Sequence, residues 1–171
     1  LSQDFRVYRS QDIKGVEVCA AVKNVVAIAC GICAGLGLGD NTLAVLMTRG
    51  LAEISRIVCA VGGDPMTCMG LAGMGDLVAT CTSRHSRNRT FGEAFSHGES
   101  LEAYEARTGM VVEGARAAQS TWELARELGI EAPLTNAVHS ILYDGTELGE
   151  AAQLLLDRDP HVEFYGLDTR E

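Results

Sequence analysis

VCAAVKNVVAIACGICAGLGLG, residues 18–39, is the longest stretch of the chain without charge apart from one lysine, Lys23. Small and aliphatic residues fill it as far as Ala34, and Gly35, Gly37 and Gly39 then close it in the manner of C-terminal glycines, so the spacing predicts a helix over about 12–35. At about 100° per residue, Val16, Cys19, Ala20, Ala27, Cys30 and Ala34 fall on the side of Lys23, and Val18, Val25, Ile28 and Ile32 fall opposite. Mostly short side chains therefore flank the ammonium, leaving a trench that another helix or a small ligand can enter. A lone lysine in such a trench is a candidate for chemistry. It is equally compatible with a structural ion pair or with a snorkelling side chain on a core helix.

About 20 apolar residues suffice to cross a bilayer, but this stretch does not read as a membrane span. Lys23 and Asn24 lie near its middle, and it is built mostly of Ala, Gly and Cys rather than Leu. The whole chain, 171 residues with 47% hydrophobic and 22% charged, is enough for one domain with a sizeable core. Aromatic residues make up only 5%, while Ala, Leu and Gly abound, which suits closely packed helices with small side chains at their crossings. A net charge of −9 argues against a general nucleic-acid binder, although a local basic cluster can still grip a phosphate.

The six cysteines lie mostly in apolar helical patterns, which predicts reduced thiols in a cytoplasmic protein. Cys30 and Cys33 form a lone C-x-x-C near a helix end, without a second pair at zinc spacing, so packing rather than redox or metal chemistry is expected of them. His85, His97, His139 and His161 show no ligand spacing, and no metal site is expected. His85 reads as a surface residue. Trp122, Met66 and Met69 read as packing residues, and Met74 as packing or as a neighbour of the substrate.

The remaining pattern is all-α. Helices are expected at about 41–61, in a short piece after Asp64-Pro65, and at 76–83, 86–97, 100–107, 112–128, 133–143 and 147–157. Pro65 and Pro133 suit first turns; Gly129 and Gly145 suit ends. Residues 5–8 alternate like a short strand that no other segment can partner, suggesting the remnant of another domain. From Asp159 the chain reads as an extended tail, with Phe164 and Tyr165 docking on the body.

A second concentration of chemistry, GLAGMGDLVATCTSRHSRNRTFG, occupies residues 70–92. Gly70, Gly73 and Gly75 allow unusual backbone angles and close backbone approach just before Asp76. Ten residues later come Ser86, Arg87, Asn88 and Arg89, the fork and hydroxyl or amide donors that an anionic phosphate needs near a helix start. Taken singly, each piece is also a glycine connector, a helix cap or a solvated basic turn. Together, the lysine, the carboxylate and the basic cluster make an acid/base group with a phosphate anchor.

These blocks, with VKNVVAIACGICAGLGLGDN at 22–41, TRGLAEI at 48–54 and VVEG at 111–114, resemble the C-terminal domain of the bacterial-type NAD(P)-dependent glycerol-3-phosphate dehydrogenase family. The resemblance covers essentially the whole chain. It implies a helical domain like the C-terminal one of 6-phosphogluconate dehydrogenase over 12–171, with 1–11 left from an N-terminal Rossmann domain. It also implies reversible NAD(P)H-dependent reduction of dihydroxyacetone phosphate to sn-glycerol 3-phosphate for phospholipid synthesis. In that reading Lys23 is the general acid/base, and Asp76, Ser86, Arg87 and Asn88 contact the substrate. Arg87, Val111 and Glu113 touch the cofactor, most of whose binding falls to the other domain. G-x-G-x-x-G after a strand does not occur in the chain, so the fragment alone is expected to be inactive. A homodimer is compatible with the resemblance, and NADH is not separable from NADPH. Two other readings remain: the helical domain of another hydroxy-acid or ketoacid dehydrogenase, and a non-catalytic helical dimerisation module.

Overall fold

The computed structural model describes residues 6–156 and 165–167, and these are all-α, with eight α-helices and no strand among them. The helices are α1 (Ile13–Gly35), α2 (Asp40–Ala60), α3 (Asp76–Thr82), α4 (Arg87–Ser96), α5 (Leu101–Thr108), α6 (Glu113–Leu128), α7 (Pro133–His139) and α8 (Leu148–Leu156). The uncharged stretch is the axle: α2, α3, α4, α6 and α7 all pack on α1. Val25 and Ile28 of α1 are sealed against Ile54 and Ile57 of α2, Leu77 of α3, Phe91 of α4 and Val138 of α7. A helix surrounded on so many sides has almost no place for charge. That explains why α1 is long and apolar enough to cross a membrane while being the core helix of this fold.

Glycines set how closely α4 approaches α1. A Cβ on Gly31 would lie 2.0 Å from the Arg89 carbonyl oxygen, and one on Gly92 would lie 2.2 Å from the Ile28 carbonyl oxygen. Backbone therefore rests on backbone at this crossing. Gly35 belongs to the same contact, because a Cβ there would strike Ser96 Oγ at 2.1 Å. It is the last residue of α1 rather than the glycine that stops it; the chain turns over Leu36 and Gly37, whose φ is +75°.

Two buried or half-buried carboxylates pin the outer elements. Asp12 caps α1 by accepting from Gly15 N at 3.0 Å, and its other oxygen accepts from Asp64 N (3.0 Å) and Thr67 Oγ1 (2.7 Å). This ties the 3₁₀ turn Pro65–Met69 to the start of α1. The Gly15 N–H and the Thr67 hydroxyl hold the Asp12 carboxyl below the ordinary carboxylate range. Glu53 of α2 is fully sunk in the fold and accepts from Leu134 N (2.9 Å), Thr135 N (3.0 Å) and Thr135 Oγ1, capping α7, which has no cap of its own. Burial pushes the Glu53 carboxyl up, against the pull of those hydrogen bonds.

The described structure departs from the expectations in a few places. Residues 6–8 are irregular and exposed rather than a strand, and Phe5 lies outside the described residues. A strand needs a neighbour to take its backbone hydrogen bonds, and no strand occurs among the described residues. The helix expected over 133–143 is α7 followed by a π-helical turn, Ser140–Asp144. Met66 and Met69 are exposed, whereas Trp122 stacks on the His139 ring with centroids 4.1 Å apart. Tyr165 lies over the Arg56 guanidinium at 4.4 Å and donates to Glu131, as a docked tail would; Phe164 and His161 lie outside the described residues. Cys19, Cys30, Cys33, Cys68 and Cys81 are free thiols. The hydrogen bond to Cys81 and burial push the Cys30 thiol up, and burial does the same to Cys33, opposite to a reactive C-x-x-C.

Candidate active site

Lys23 sits midway along α1, where Ala20 one turn earlier leaves room beside the stem. Its ammonium is paired with the Asp76 carboxylate, and it donates to Thr80 Oγ1 at 3.2 Å. The Lys23 side chain is only 17% exposed, while that of Asp76 is 41% exposed. The lysine is thus held in place while the carboxylate keeps contact with solvent.

The glycine block explains how Asp76 comes to stand there. Residues Leu71–Gly75 form a π-helical turn that runs straight into α3, with Asp76 as its first α-helical residue. Gly73 is jammed against the Cys68 backbone, 2.1 Å from its carbonyl oxygen to a hypothetical Cβ, so only glycine lets the turn wind this tightly. None of Gly70, Gly73 and Gly75 has a positive φ; close approach, not an unusual backbone angle, is their use. One turn on, the Thr80 hydroxyl donates to the Asp76 carbonyl oxygen (2.6 Å) and offers its lone pair to Lys23. Thr80 therefore holds lysine and aspartate in register.

α4 supplies the opposite wall. Ser86 is its N-cap, accepting from Arg89 N at 3.3 Å. Arg87 donates to Glu113 Oε1 at 2.7 Å, with both side chains about half exposed (46% and 48%). Such an exposed pair contributes little, about 0–1 kcal/mol, and is easily opened by a ligand. Asn88 is buried and bridges three helices: its Nδ2 donates to Asn24 Oδ1 (2.9 Å) and its Oδ1 accepts from Gly114 N (2.8 Å). Gly114 has no room for a side chain, since a Cβ would meet both Asn24 O and Asn88 Oδ1 at 2.7 Å.

Between these walls lies an open cleft of about 550 Å³ whose lining includes Lys23, Asn24, Thr80, His85, Ser86, Arg87, Asn88 and Glu113. Most of the residues singled out in the sequence thus converge. Asp76 reaches the cleft through its pair with Lys23. Val111 does not line it; it is 41% exposed on the loop ahead of α6. Arg89 turns away, pairing with Glu93 one helical turn on, and its Nε is buried without a partner. Met74 packs against the core rather than on the cleft. Asn24, Thr80 and His85 were not legible as site residues. Asn24 follows Lys23 directly, and Thr80 lies at i+4 from Asp76; helical spacing was the signal available for Thr80.

Chemically, the cleft joins a held ammonium, a carboxylate and a guanidinium with hydroxyl and amide donors. Such a set is chemically able to exchange a proton with an oxygen at one end and to hold an anion at the other. Residues 12–153 match the family described as NAD-dependent glycerol-3-phosphate dehydrogenase C-terminus. A relative from Chlorobium limicola, named a glycerol-3-phosphate dehydrogenase using NAD(P)+, is 49% identical over 161 residues, covering 94% of this chain and 48% of its own length. One of the same name from Halalkalibacterium halodurans is 49% identical over 167 residues, covering 98% and 48%. The crystal structure of glycerol-3-phosphate dehydrogenase from Coxiella burnetii superposes with a TM-score of 0.87 at 46% identity, over 92% of this chain and 49% of that one. The chain spans about half the length of the relatives it matches. By sequence and by fold, this chain belongs to the NAD-dependent glycerol-3-phosphate dehydrogenase family, of which it represents the C-terminal, all-α part.

Proposed function

We propose that the cleft is the substrate half of an sn-glycerol-3-phosphate dehydrogenase, interconverting dihydroxyacetone phosphate and sn-glycerol 3-phosphate for phospholipid synthesis in the cytoplasm. The observation that carries this reading is one opening lined by Lys23 of α1 and Arg87 of α4, with Asp76 of α3 paired to the lysine. In reduction, the Lys23 ammonium polarises the C2 carbonyl and gives its oxygen a proton; in oxidation, the neutral amine takes the hydroxyl proton. Asp76 orients the ammonium and accepts from the substrate hydroxyl. Ser86, Arg87 and Asn88 receive the phosphate, Arg87 by letting go of Glu113. Asn88 has its amide already engaged with Asn24 and Gly114, so its part is to hold the wall in place as much as to touch the ligand.

A nicotinamide cofactor, when bound, exchanges hydride with C2. The exposed Arg87–Glu113 pair at the cleft mouth fits one end of such a cofactor, offering both a donor and an acceptor, with Val111 adding apolar surface two residues from Glu113. Residues 1–11 belong with a nucleotide-binding half, and 12–171 form the substrate domain, which agrees with the half-length match to the relatives. Hydride transfer needs both reactants held together, so the 171-residue chain alone turns over negligibly. The full-length enzyme should reduce dihydroxyacetone phosphate at least about a hundredfold more efficiently than unphosphorylated dihydroxyacetone, since a charged hydrogen-bonded anchor is lost with the phosphate. Equal efficiency on both ketones would instead favour a hydroxy-acid or ketoacid dehydrogenase.

A further inference from the structure

The permanent cations of the cleft come with their own counter-charges. Lys23 faces Asp76 and Arg87 faces Glu113, so two positive groups are matched by two carboxylates and their formal charges cancel. A phosphate monoester brings about 1.5 to 2 negative charges at neutral pH. Placed against a neutralised set, that charge lacks full compensation. One further side chain on the cleft can supply it. His85 is exposed on the turn at residues 83–86 that leads into α4, and it lines the same opening as Arg87 and Lys23. Its backbone N–H donates to Ser83 Oγ at 3.1 Å, which fixes the turn, while its ring makes no hydrogen bond or ion pair with a described residue.

We infer that His85 is a phosphate-recognition residue: its ring donates an N–H to the substrate phosphate beside Arg87. The inference rests on the function proposed above. The charged residues that share the cleft with it are Lys23 from α1, Arg87 from α4 and Glu113 from α6, with Asp76 of α3 paired to Lys23. Arg84 adjoins it on the turn but is exposed and outside the cleft lining. The anchor is thereby selective for an anionic group, because a neutral hydroxymethyl in its place offers the ring N–H only an uncharged acceptor.

Steady-state kinetics of the full-length enzyme test this, with His85→Gln and His85→Ala beside the parent and Arg87→Met. Both His85 variants should raise KM for dihydroxyacetone phosphate about tenfold, the scale of one hydrogen bond to a charged group, with kcat within about twofold. Parent-like KM in both His85 variants, with Arg87→Met still impaired, overturns the role of His85. Parent-like KM in Arg87→Met as well sinks the phosphate site itself.

Discussion

Gly31→Ala adds one methyl group at the contact that sets the distance between the lysine helix and the anchor helix. Two effects oppose each other. Alanine is the better helix former by about 0.8–1 kcal/mol, so in open space the change stabilises. Here the new Cβ would lie 2.0 Å from the Arg89 carbonyl oxygen, 2.9 Å from its carbon and 3.0 Å from Gly92 Cα, all of them backbone that cannot rotate aside. To reach an ordinary contact near 3.4 Å or beyond, α4 must withdraw by more than an ångström. Overpacking of this kind costs about 1–3 kcal/mol, and an unyielding backbone wall puts it at the upper end. The clash wins, leaving a net loss of about 1–2 kcal/mol, or roughly 2–8 °C in Tm for a domain this size. Gly149→Ala in α8 is the control, because no atom lies within 4 Å of its Cβ position; it should be neutral or slightly stabilising. Urea denaturation of the 171-residue chain, followed by helical circular dichroism, reads both. A Gly31→Ala protein as stable as the parent would refute the idea that backbone contact fixes the α1–α4 spacing. The same retreat carries Ser86, Arg87 and Asn88 away from Lys23, so catalytic efficiency of the full-length enzyme should fall more than stability alone explains.

Other consequences follow from the buried and half-buried carboxylates. Glu53→Ala strands the Leu134 and Thr135 amides and the Thr135 hydroxyl inside the fold, and should cost about 3–5 kcal/mol in urea denaturation, since each unsatisfied group costs about 1–3 kcal/mol. Asp12 is held below the ordinary carboxylate range in the folded chain, so its contribution is complete above the unfolded value of about 3.9 and disappears as pH falls through the folded value. The stability gap between the parent and Asp12→Asn should therefore be widest near neutral pH and shrink in acid below about pH 4. A gap that is constant with pH would show that Asp12 acts only as a neutral cap.

The sequence reveals the axle helix because burial on all sides forbids charge, and it reveals helix ends because caps and prolines act locally. Lys23 stands out for the same reason: an ammonium in α1 is an anomaly that only a partner can stabilise, and Asp76 is that partner. The rest depends on relations between distant segments. Gly35 looks like a helix stop until α4 is seen pressing on it, and Gly73 passes for part of a glycine connector until the Cys68 backbone is seen against it. Glu53, within an apolar run of α2, gives no hint that it caps a helix about eighty residues later. Thr80 and His85 are unremarkable residue types whose importance lies in what they face. Val111 shows the opposite case, a residue marked by resemblance whose side chain stands on the surface outside the cleft.

The most direct test of the central claim is the turnover of the full-length enzyme with Lys23 replaced by methionine, measured alongside its melting temperature. A lysine that moves the proton at the C2 oxygen predicts a loss of about 10²–10⁴ in kcat with folding preserved. Turnover within a few fold of the parent would contradict the account and leave Lys23 as the buried ion-pair partner of a helical scaffold.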